Sequence, residues 1–287
     1  MKTQLFATLA LCAFAAAAHA APCNTTTDEA FPTPLLYSAR QGDTDNMRCL
    51  IESGAKVGVA DKHGRTVLMV AAGNGHADTT RLLLDKGADP NAADQNGWTA
   101  LMFSAGNGHA DTTRLLLEKG ANPNAICEDG WAALILAART GHTDAIRLLL
   151  EKGANADAAD KEGGTALMAA ARGGHTDTVR LLLEKGAQVD AANKDGWTPL
   201  MAAAQRGHTD TARLLLEKGA SVDAADKQGW TALIFATWEG SAETVRLLLE
   251  KGADINHTGS NDTTALSLAK RKRDTALVQM LLDAGAK

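Results

Sequence analysis

Apolar and polar residues follow one another along this chain in a pattern that recurs every 33 residues. Its most regular part is Arg-Leu-Leu-Leu-Glu-Lys-Gly-Ala, an apolar triplet between charged residues with a glycine behind it. Copies begin at Arg114, Arg147, Arg180, Arg213 and Arg246, and a copy with Asp for Glu begins at Arg81. A unit of this size cannot bury its apolar face alone, so the pattern predicts stacked units that share one core.

Each unit predicts a turn followed by two helices, as the copy that opens at Asn193 illustrates. Asn193–Gly196 has the Asx-first, glycine-last signature of a type I turn. Thr198-Pro199 opens a short helix with a capping hydroxyl and a proline in the first helical position, and Gly207 ends that helix. A second helix begins at Thr209-Asp210, where the carboxylate faces the positive helix end, and Gly219 terminates it.

Thr-Pro-Leu at the first helix and Gly-His before the second give the chain a resemblance to the ankyrin-repeat family over essentially its whole mature length. The resemblance implies an all-α solenoid of helix–turn–helix units joined by β-turn or hairpin loops. We expect six full repeats at 61–93, 94–126, 127–159, 160–192, 193–225 and 226–258, with degenerate capping repeats at 28–60 and 259–287. The family's His after Thr-Pro-Leu is replaced here by residues that predict apolar packing: Met69, Met102, Ile135, Met168, Met201 and Ile234.

Residues 1–20 have the features of a secretory signal peptide. Lys2 is followed by an apolar run from Leu5 to Ala17 and then by the small-x-small cleavage signal Ala18-His19-Ala20. That run is too short for a convincing membrane span, and no later segment is apolar enough to be one. We therefore expect a soluble exported protein with a short arm at 21–27. It resembles bacterial periplasmic ankyrin-repeat proteins, which implies a Gram-negative periplasm, with full secretion as the alternative.

Three cysteines follow the predicted leader, and export places them in an oxidising compartment. Cys23 lies in the arm, and Cys49 falls on the second helix of the first unit. A disulfide between them would hold the arm over the exposed first unit, while the alternative is two unpaired small apolar side chains. Cys127 stands where the other units carry Asp or Asn, and we expect it in an exposed turn as an unreactive substitution.

The charge balance of the chain narrows the classes of partner. Removal of the leader takes away Lys2 and leaves 28 Lys and Arg against 34 Asp and Glu, a net charge of about −6 with neutral His. Nucleic acids and anionic membranes both require a basic binding face. A mildly acidic chain therefore favours neither partner.

The residues that resemble catalytic or metal-binding sets have a structural explanation. Histidines recur once per repeat, at His76, His109, His142, His175 and His208. Stacked units lie roughly 10 Å apart, too far for two histidines to share a zinc ion with bonds near 2.0–2.1 Å, and the family places this His at a helix start. The chain contains no P-loop, nucleophile elbow, His-Glu-x-x-His or Cys-x-x-Cys motif. We predict neither an enzyme nor a cofactor.

An aromatic column points to a binding surface. The residue after the turn glycine, a groove position in ankyrin-like solenoids, reads Arg65, Trp98, Trp131, Gly164, Trp197, Trp230 through the six full units. Trp238 stands near the end of a short helix, at another groove position. Aromatic side chains with a polar group are common interface anchors, so the column predicts a partner-binding ladder with a notch at Gly164. The alternative is that each Trp packs on its own turn.

A basic strip accompanies the aromatic column. Arg139, Arg172 and Arg206 stand at the groove end of the short helices, where the first repeats carry Gly and Asn. Arginine forks readily onto carboxylates, so the strip would suit an acidic segment of a partner protein. A solvated helix end is the alternative for each single Arg.

The sequence therefore leaves three alternative functions open. The first is a module that binds another protein through the concave groove as a scaffold, protector or immunity protein. The second is an enzyme or small-molecule binder with a site near Gly164, which would need a pocket of several hundred Å³ and a distinctive cluster of titratable residues. The third is a secreted effector that acts outside the cell.

Overall fold

The computed structural model describes residues 23–28 and 33–287. The predicted leader, residues 21–22 of the arm and residues 29–32 of the first unit lie outside the described residues. Within the described residues, sixteen α-helices follow one another in eight pairs. Their bounds are α1 Pro34–Gln41, α2 Thr44–Glu52, α3 Val67–Gly73, α4 Ala77–Asp85, α5 Ala100–Gly106, α6 Ala110–Glu118, α7 Ala133–Thr140, α8 Thr143–Glu151, α9 Ala166–Gly173, α10 Thr176–Glu184, α11 Pro199–Gln205, α12 Thr209–Glu217, α13 Ala232–Glu239, α14 Ala242–Glu250, α15 Ala265–Lys272 and α16 Thr275–Asp283.

A threonine hydroxyl caps six of the eight first helices among the described residues, whereas α7 and α13 have no side-chain cap. In α11 the Thr198 hydroxyl accepts a hydrogen bond from the backbone N–H of Met201, and Pro199 occupies the first helical position. Thr165 caps α9 in the same way. Isolated antiparallel bridges, such as Ala159 with Thr165, close the turn before the helix. Among the described residues no extended strand forms, so the fold is an all-helical solenoid.

The recurrent histidine begins each of five second helices, and four of these histidines also hydrogen-bond to a carbonyl oxygen of the preceding repeat. His208 is the N-cap residue of α12, and its side chain makes no capping hydrogen bond. Its Nε2 lies instead 3.1 Å from the carbonyl oxygen of Arg172 in the preceding repeat. The ring fills the space above Gly174, where an added Cβ would stand 2.6 Å from Nδ1 of His208. Gly174 also has φ +70°, so glycine is required there for two reasons.

The solenoid has two layers of helices, and the spacing between neighbouring helices differs between the layers. Neighbouring first helices pack more closely than neighbouring second helices, because small residues such as Ala170, Ala171 and Gly173 allow close approach. Closer spacing on one side curves a solenoid toward that side, so the first helices line the concave face. The Met and Ile column that replaces the family's histidine is buried throughout. The apolar packing expected for that column is what the structure shows.

Side chains of the turn hold successive turn tips together. Asn193 Oδ1 accepts hydrogen bonds of 2.9 Å from the backbone N–H groups of Asp195 and Trp197. The N–H of Lys194 donates to the carbonyl oxygen of Glu162 in the preceding repeat at 2.8 Å. Asp or Asn at the first turn position is therefore folded beneath the turn rather than solvated.

Cys127 occupies this same column, and the prediction that it lies in an exposed turn is wrong. The residue is only 5% exposed and belongs to the apolar core. The Asp61 side chain in the equivalent place is also nearly fully buried, at 2% exposure. A thiol fits the buried position, but it cannot accept the backbone hydrogen bonds that the Asp and Asn oxygens accept elsewhere.

A disulfide joins Cys23 to Cys49, with their Cα atoms 5.7 Å apart. It holds the described part of the arm against α2. Asn46 extends the attachment, because its Oδ1 accepts a 2.7 Å hydrogen bond from the N–H of Asn24 and its Nδ2 donates to the carbonyl oxygen of Asn24 at 3.0 Å. Among the described residues, no helix has the length and apolar character that a membrane span requires.

A hydroxyl in the core without a partner leads to a prediction about stability. The Thr80 hydroxyl is fully buried and makes no hydrogen bond, whereas Thr113, one repeat later, bonds to Ser104 at 3.1 Å. Ala71 stands where that serine would be, and later repeats carry Val179 and Val245 at the threonine position. Burial of an unpaired hydroxyl costs about 1–3 kcal/mol, so Thr80→Val is expected to raise the free energy of unfolding by about 1 kcal/mol.

The matched variant Thr113→Val removes a hydroxyl that has a partner. Urea denaturation is expected to show it unchanged or destabilised by about 1 kcal/mol. Equal effects of the two variants would contradict the prediction.

Candidate binding groove

A groove of about 810 Å³ opens on the concave face, centred on Gly164. It spans the first helices α7, α9 and α11 together with the turns before them. The groove therefore depends on three consecutive repeats, with Glu239 of the next repeat also in its lining, and does not exist in any one repeat. Its lining falls into an apolar floor, a basic rim at the helix ends and a rim of turn residues.

The floor of the groove is aromatic and aliphatic. Trp131 and Trp197 lie on either side of Gly164, and both are partly buried against the core. Ile135 and Met168 contribute aliphatic surface between them. Because Gly164 takes the place of a Trp in the aromatic column, it leaves an opening between the two indoles. The sequence pattern predicts only core packing for Ile135 and Met168, so sequence reasoning misses them as groove residues.

The basic rim consists of Arg139, Arg172 and Arg206, all exposed. The guanidinium carbon of Arg139 lies 4.8 Å from the centre of the Trp131 ring, a cation–π distance. In the described part of the chain, none of the three forms a salt bridge with a carboxylate. The rim therefore presents three guanidiniums whose charge is not neutralised by a bonded side chain.

The opposite rim carries carboxylates, but one of them is already engaged. Asp160 Oδ1 accepts hydrogen bonds from the backbone N–H of Gly164 at 2.7 Å and of Glu162 at 2.9 Å. Glu162 is exposed at the turn tip and lies 4.0 Å from Lys194. The groove is thus polarised across its width, with three guanidiniums at the helix ends and Asp160 at the turns, where Lys194 partly offsets the charge of Glu162.

The other predicted tryptophans lie outside this groove. Trp98 packs on Phe103, with ring centres 5.1 Å apart. Trp230 packs on Phe235 at 5.2 Å and lies 6.0 Å from Trp238, which is 48% exposed. Phe235 also contacts Trp197 at 4.6 Å, so it links this cluster to the floor of the groove. The structure therefore divides the predicted ladder into separate parts, and it brings Trp131 and Trp197 together with all three arginines.

Among the ionisable groups of the repeats, His142 and Asp61 have pKa values shifted from their ordinary values. Burial lowers the pKa of His142 below its ordinary value, and the charges on His109 and His175 lower it further. Burial alone would raise the pKa of Asp61, but hydrogen bonds from the Arg65 and His63 backbone, and the charged side chain of Arg65, outweigh it and lower that pKa. No cluster of three His, Cys, Asp or Glu side chains suited to a metal ion occurs among the described residues.

The depressed pKa of His142 predicts acid sensitivity of the fold. The unfolded chain binds a proton at His142 more readily than the folded chain does, so stability is fully present above the ordinary pKa of 6.5 and is lost as pH falls below it. The free energy of unfolding of the wild type should fall between about pH 7.5 and pH 5.5. His142→Gln should reduce that fall, while His63→Gln at an exposed turn serves as control. Equal pH dependence of the His142 variant and the wild type would contradict the expectation.

Comparison with known proteins agrees with this architecture. The family model described as ankyrin repeats, in sets of three copies, matches residues 10–94, 89–160, 120–193, 152–226, 188–259 and 223–287. The chain therefore belongs to the ankyrin-repeat family. The crystal structure of the human ASB11 ankyrin repeat domain is similar to it, with a TM-score of 0.72 and 30% identity over 77% of this chain and 99% of that chain. A search of curated protein sequences found no match.

Proposed function

We propose that this protein binds a partner protein through the groove centred on Gly164. Ankyrin repeats are in general protein–protein interaction modules. The observation that carries the proposal is the convergence of Trp131, Trp197 and three unneutralised arginines on one concave surface. Tryptophan and arginine are the residues most enriched among interface hot spots.

The charge of the groove favours a partner with an acidic segment. The guanidiniums of Arg139, Arg172 and Arg206 can each fork onto a carboxylate, and such hydrogen bonds are stronger than neutral ones. The rest of the chain carries a net negative charge, so an acidic partner segment is repelled elsewhere and attracted at this rim. Electrostatic complementarity of this kind supplies specificity and a faster association rate.

Location in the periplasm is part of the proposal. The predicted leader at 1–20 lies outside the described residues, so support comes from the disulfide between Cys23 and Cys49, a bond that persists in oxidising compartments. In that compartment a groove of this kind would serve as a scaffold, a protector of its partner or an immunity protein. Secretion from the cell, with action as an effector, is the alternative.

A small-molecule site is the second candidate, because a volume of about 810 Å³ falls in the range of ligand pockets. The titratable residues at the notch weigh against catalysis. Asp160 is held by two backbone N–H groups and belongs to a column that carries Asp or Asn in five of the six full repeats, where it braces the turn. It is therefore no distinctive catalytic group.

Affinity capture from a periplasmic extract tests the proposal. Wild-type protein is compared with the pair Trp131→Ala and Trp197→Ala, and with the pair Trp98→Ala and Trp230→Ala as a matched control that also removes two partly buried indoles. All proteins must first show the same helical circular dichroism. We expect a protein captured by the wild type and the control pair and lost from the groove pair, since a hot-spot Trp contributes about 2 kcal/mol or more. Equal capture by all three would contradict the proposal.

A further inference from the structure

The arginines of the basic rim follow the repeat spacing of the solenoid. Arg139 and Arg172 are 33 positions apart, at the same place in successive repeats, and Arg206 is 34 positions further. Arg139 and Arg172 lie in the last turn of α7 and α9, and Arg206 follows the end of α11. Stacked helices lie roughly 8–10 Å apart. A bound segment would therefore meet one guanidinium about every 10 Å.

Two extended backbone conformations can be compared with this spacing. In a β-strand, side chains on one face recur every second residue, at about 6.6 Å, and the next repeat is about 13 Å away. Neither distance matches the step between arginines. In a polyproline II helix the rise is about 3.1 Å with three residues per turn, so every third side chain lies on the same face at about 9.3 Å.

We propose that the groove binds an acidic segment in the polyproline II conformation, with a carboxylate at every third residue and proline or another apolar residue facing the floor. This inference rests on the function proposed above, and it names the partner chemistry of the same groove. Each carboxylate meets one of Arg139, Arg172 and Arg206. The apolar face of the segment packs on Trp131 and Trp197, because proline-rich segments dock on aromatic grooves in this conformation.

The third face of such a segment points to the turn rim. Asp160 and Glu162 lie there. Asp160 repels acidic side chains on that face, while the charge of Glu162 is partly offset by Lys194 at 4.0 Å. The polarised groove therefore fixes the rotation of the segment about its own axis, since only one of three faces can be acidic. Gly164 lets the segment cross the middle repeat, where an indole in the aromatic column would obstruct it.

The groove limits how many carboxylates of the bound segment can each pair with an arginine. One repeat before Arg139 the equivalent residue is Gly106, and the repeat after Arg206 has Trp238 and Glu239 at the two rim positions. Glu239 also lines the groove and is exposed. A fourth carboxylate would meet negative charge at one end and no charge at the other. The groove is accordingly matched to three carboxylates in successive turns.

Fluorescence anisotropy with labelled synthetic peptides tests the spacing. One peptide carries Glu-Pro-Pro three times, and the second has the same composition with its three glutamates consecutive at one end. Both have the same net charge, so attraction without register predicts equal affinity. We expect the spaced peptide to bind roughly tenfold more tightly, the gain from about one charge-assisted hydrogen bond. Arg172→Glu and Gly164→Trp should each abolish that preference, whereas Arg180→Glu on the second helix α10 should preserve it.

Equal affinity of the two peptides, or a preference that survives Gly164→Trp, would overturn the inference. The circular dichroism of the Gly164→Trp variant should match that of the wild type, since four other repeats carry Trp at this position. A partner captured through Trp131 and Trp197, together with failure of both peptides to bind, would also overturn this inference. In that case the proposed protein-binding function would stand.

Discussion

Changing Arg139, Arg172 and Arg206 together to glutamate is expected to weaken binding of the captured partner by about a thousandfold. Each arginine can supply a charge-assisted hydrogen bond worth about 1.5 kcal/mol, and three such losses amount to about 4.5 kcal/mol, slightly more than a thousandfold in affinity. Replacement by glutamate adds repulsion to the loss. Because these side chains are exposed and form no salt bridge in the described residues, the fold should tolerate the changes.

A matched variant separates local binding from overall charge. Arg147, Arg180 and Arg213 are exposed on the second helices α8, α10 and α12, and changing all three to glutamate alters the net charge by the same amount. Isothermal titration calorimetry with the partner should show about the wild-type affinity for this control. Similar weakening by both triple variants would mean that the partner responds to the total charge of the protein. That result would contradict binding at the groove.

Removal of the disulfide is expected to loosen the first repeat and little else. Replacing both Cys23 and Cys49 by serine releases a covalent loop that spans 26 positions. In the chain-entropy model such a loop contributes about 3 kcal/mol. Stability in a solenoid is approximately a sum over repeats and their interfaces, so the loss should stay near the arm, α1 and α2.

Hydrogen exchange with mass spectrometry can locate the effect. We expect faster exchange in α1 and α2 of the serine variant, and unchanged exchange in α9 and α10 at the groove. Wild type treated with a reductant should behave like the variant, which controls for the serine substitutions. Unchanged protection of α1 and α2 would show that Asn46 and the apolar contacts hold the arm without the disulfide, contrary to this prediction.

Much of the fold is predictable from the sequence because the repeat signals are local. Thr198 and Pro199 determine where α11 starts through capping chemistry that operates within four residues. Gly219, with φ +91°, follows the end of α12 for an equally local reason. The buried Met and Ile column could also be predicted, since a residue of one helix face must meet the neighbouring repeat.

The environment of Cys127 could not be predicted in the same way. Asp and Asn dominate its column, and a polar column in a turn suggests exposure. The structure shows that these side chains fold back to accept N–H groups of their own turn, as Asn193 does. In this column a polar residue therefore indicates a buried side chain that accepts hydrogen bonds from its own turn. The Cys127 thiol occupies the same buried position.

The composition of the groove required information from packing between repeats. The sequence placed four tryptophans in one column and could not show that Phe235 draws Trp230 and Trp238 into a separate aromatic cluster. Neither could it show that Trp131 and Trp197 share a cavity with the arginines. Those features depend on side-chain directions across three repeats, which no single repeat encodes.

Site-specific photo-crosslinking in cells that produce the protein tests the central claim most directly. A photoreactive residue is placed at Glu162, which lines the groove, or at Glu184, an exposed glutamate of the same repeat at the end of the second helix α10. The account predicts a crosslink to another protein from position 162 and none from position 184. A crosslink from position 184 with none from position 162 would place the partner on the outer face and contradict the account.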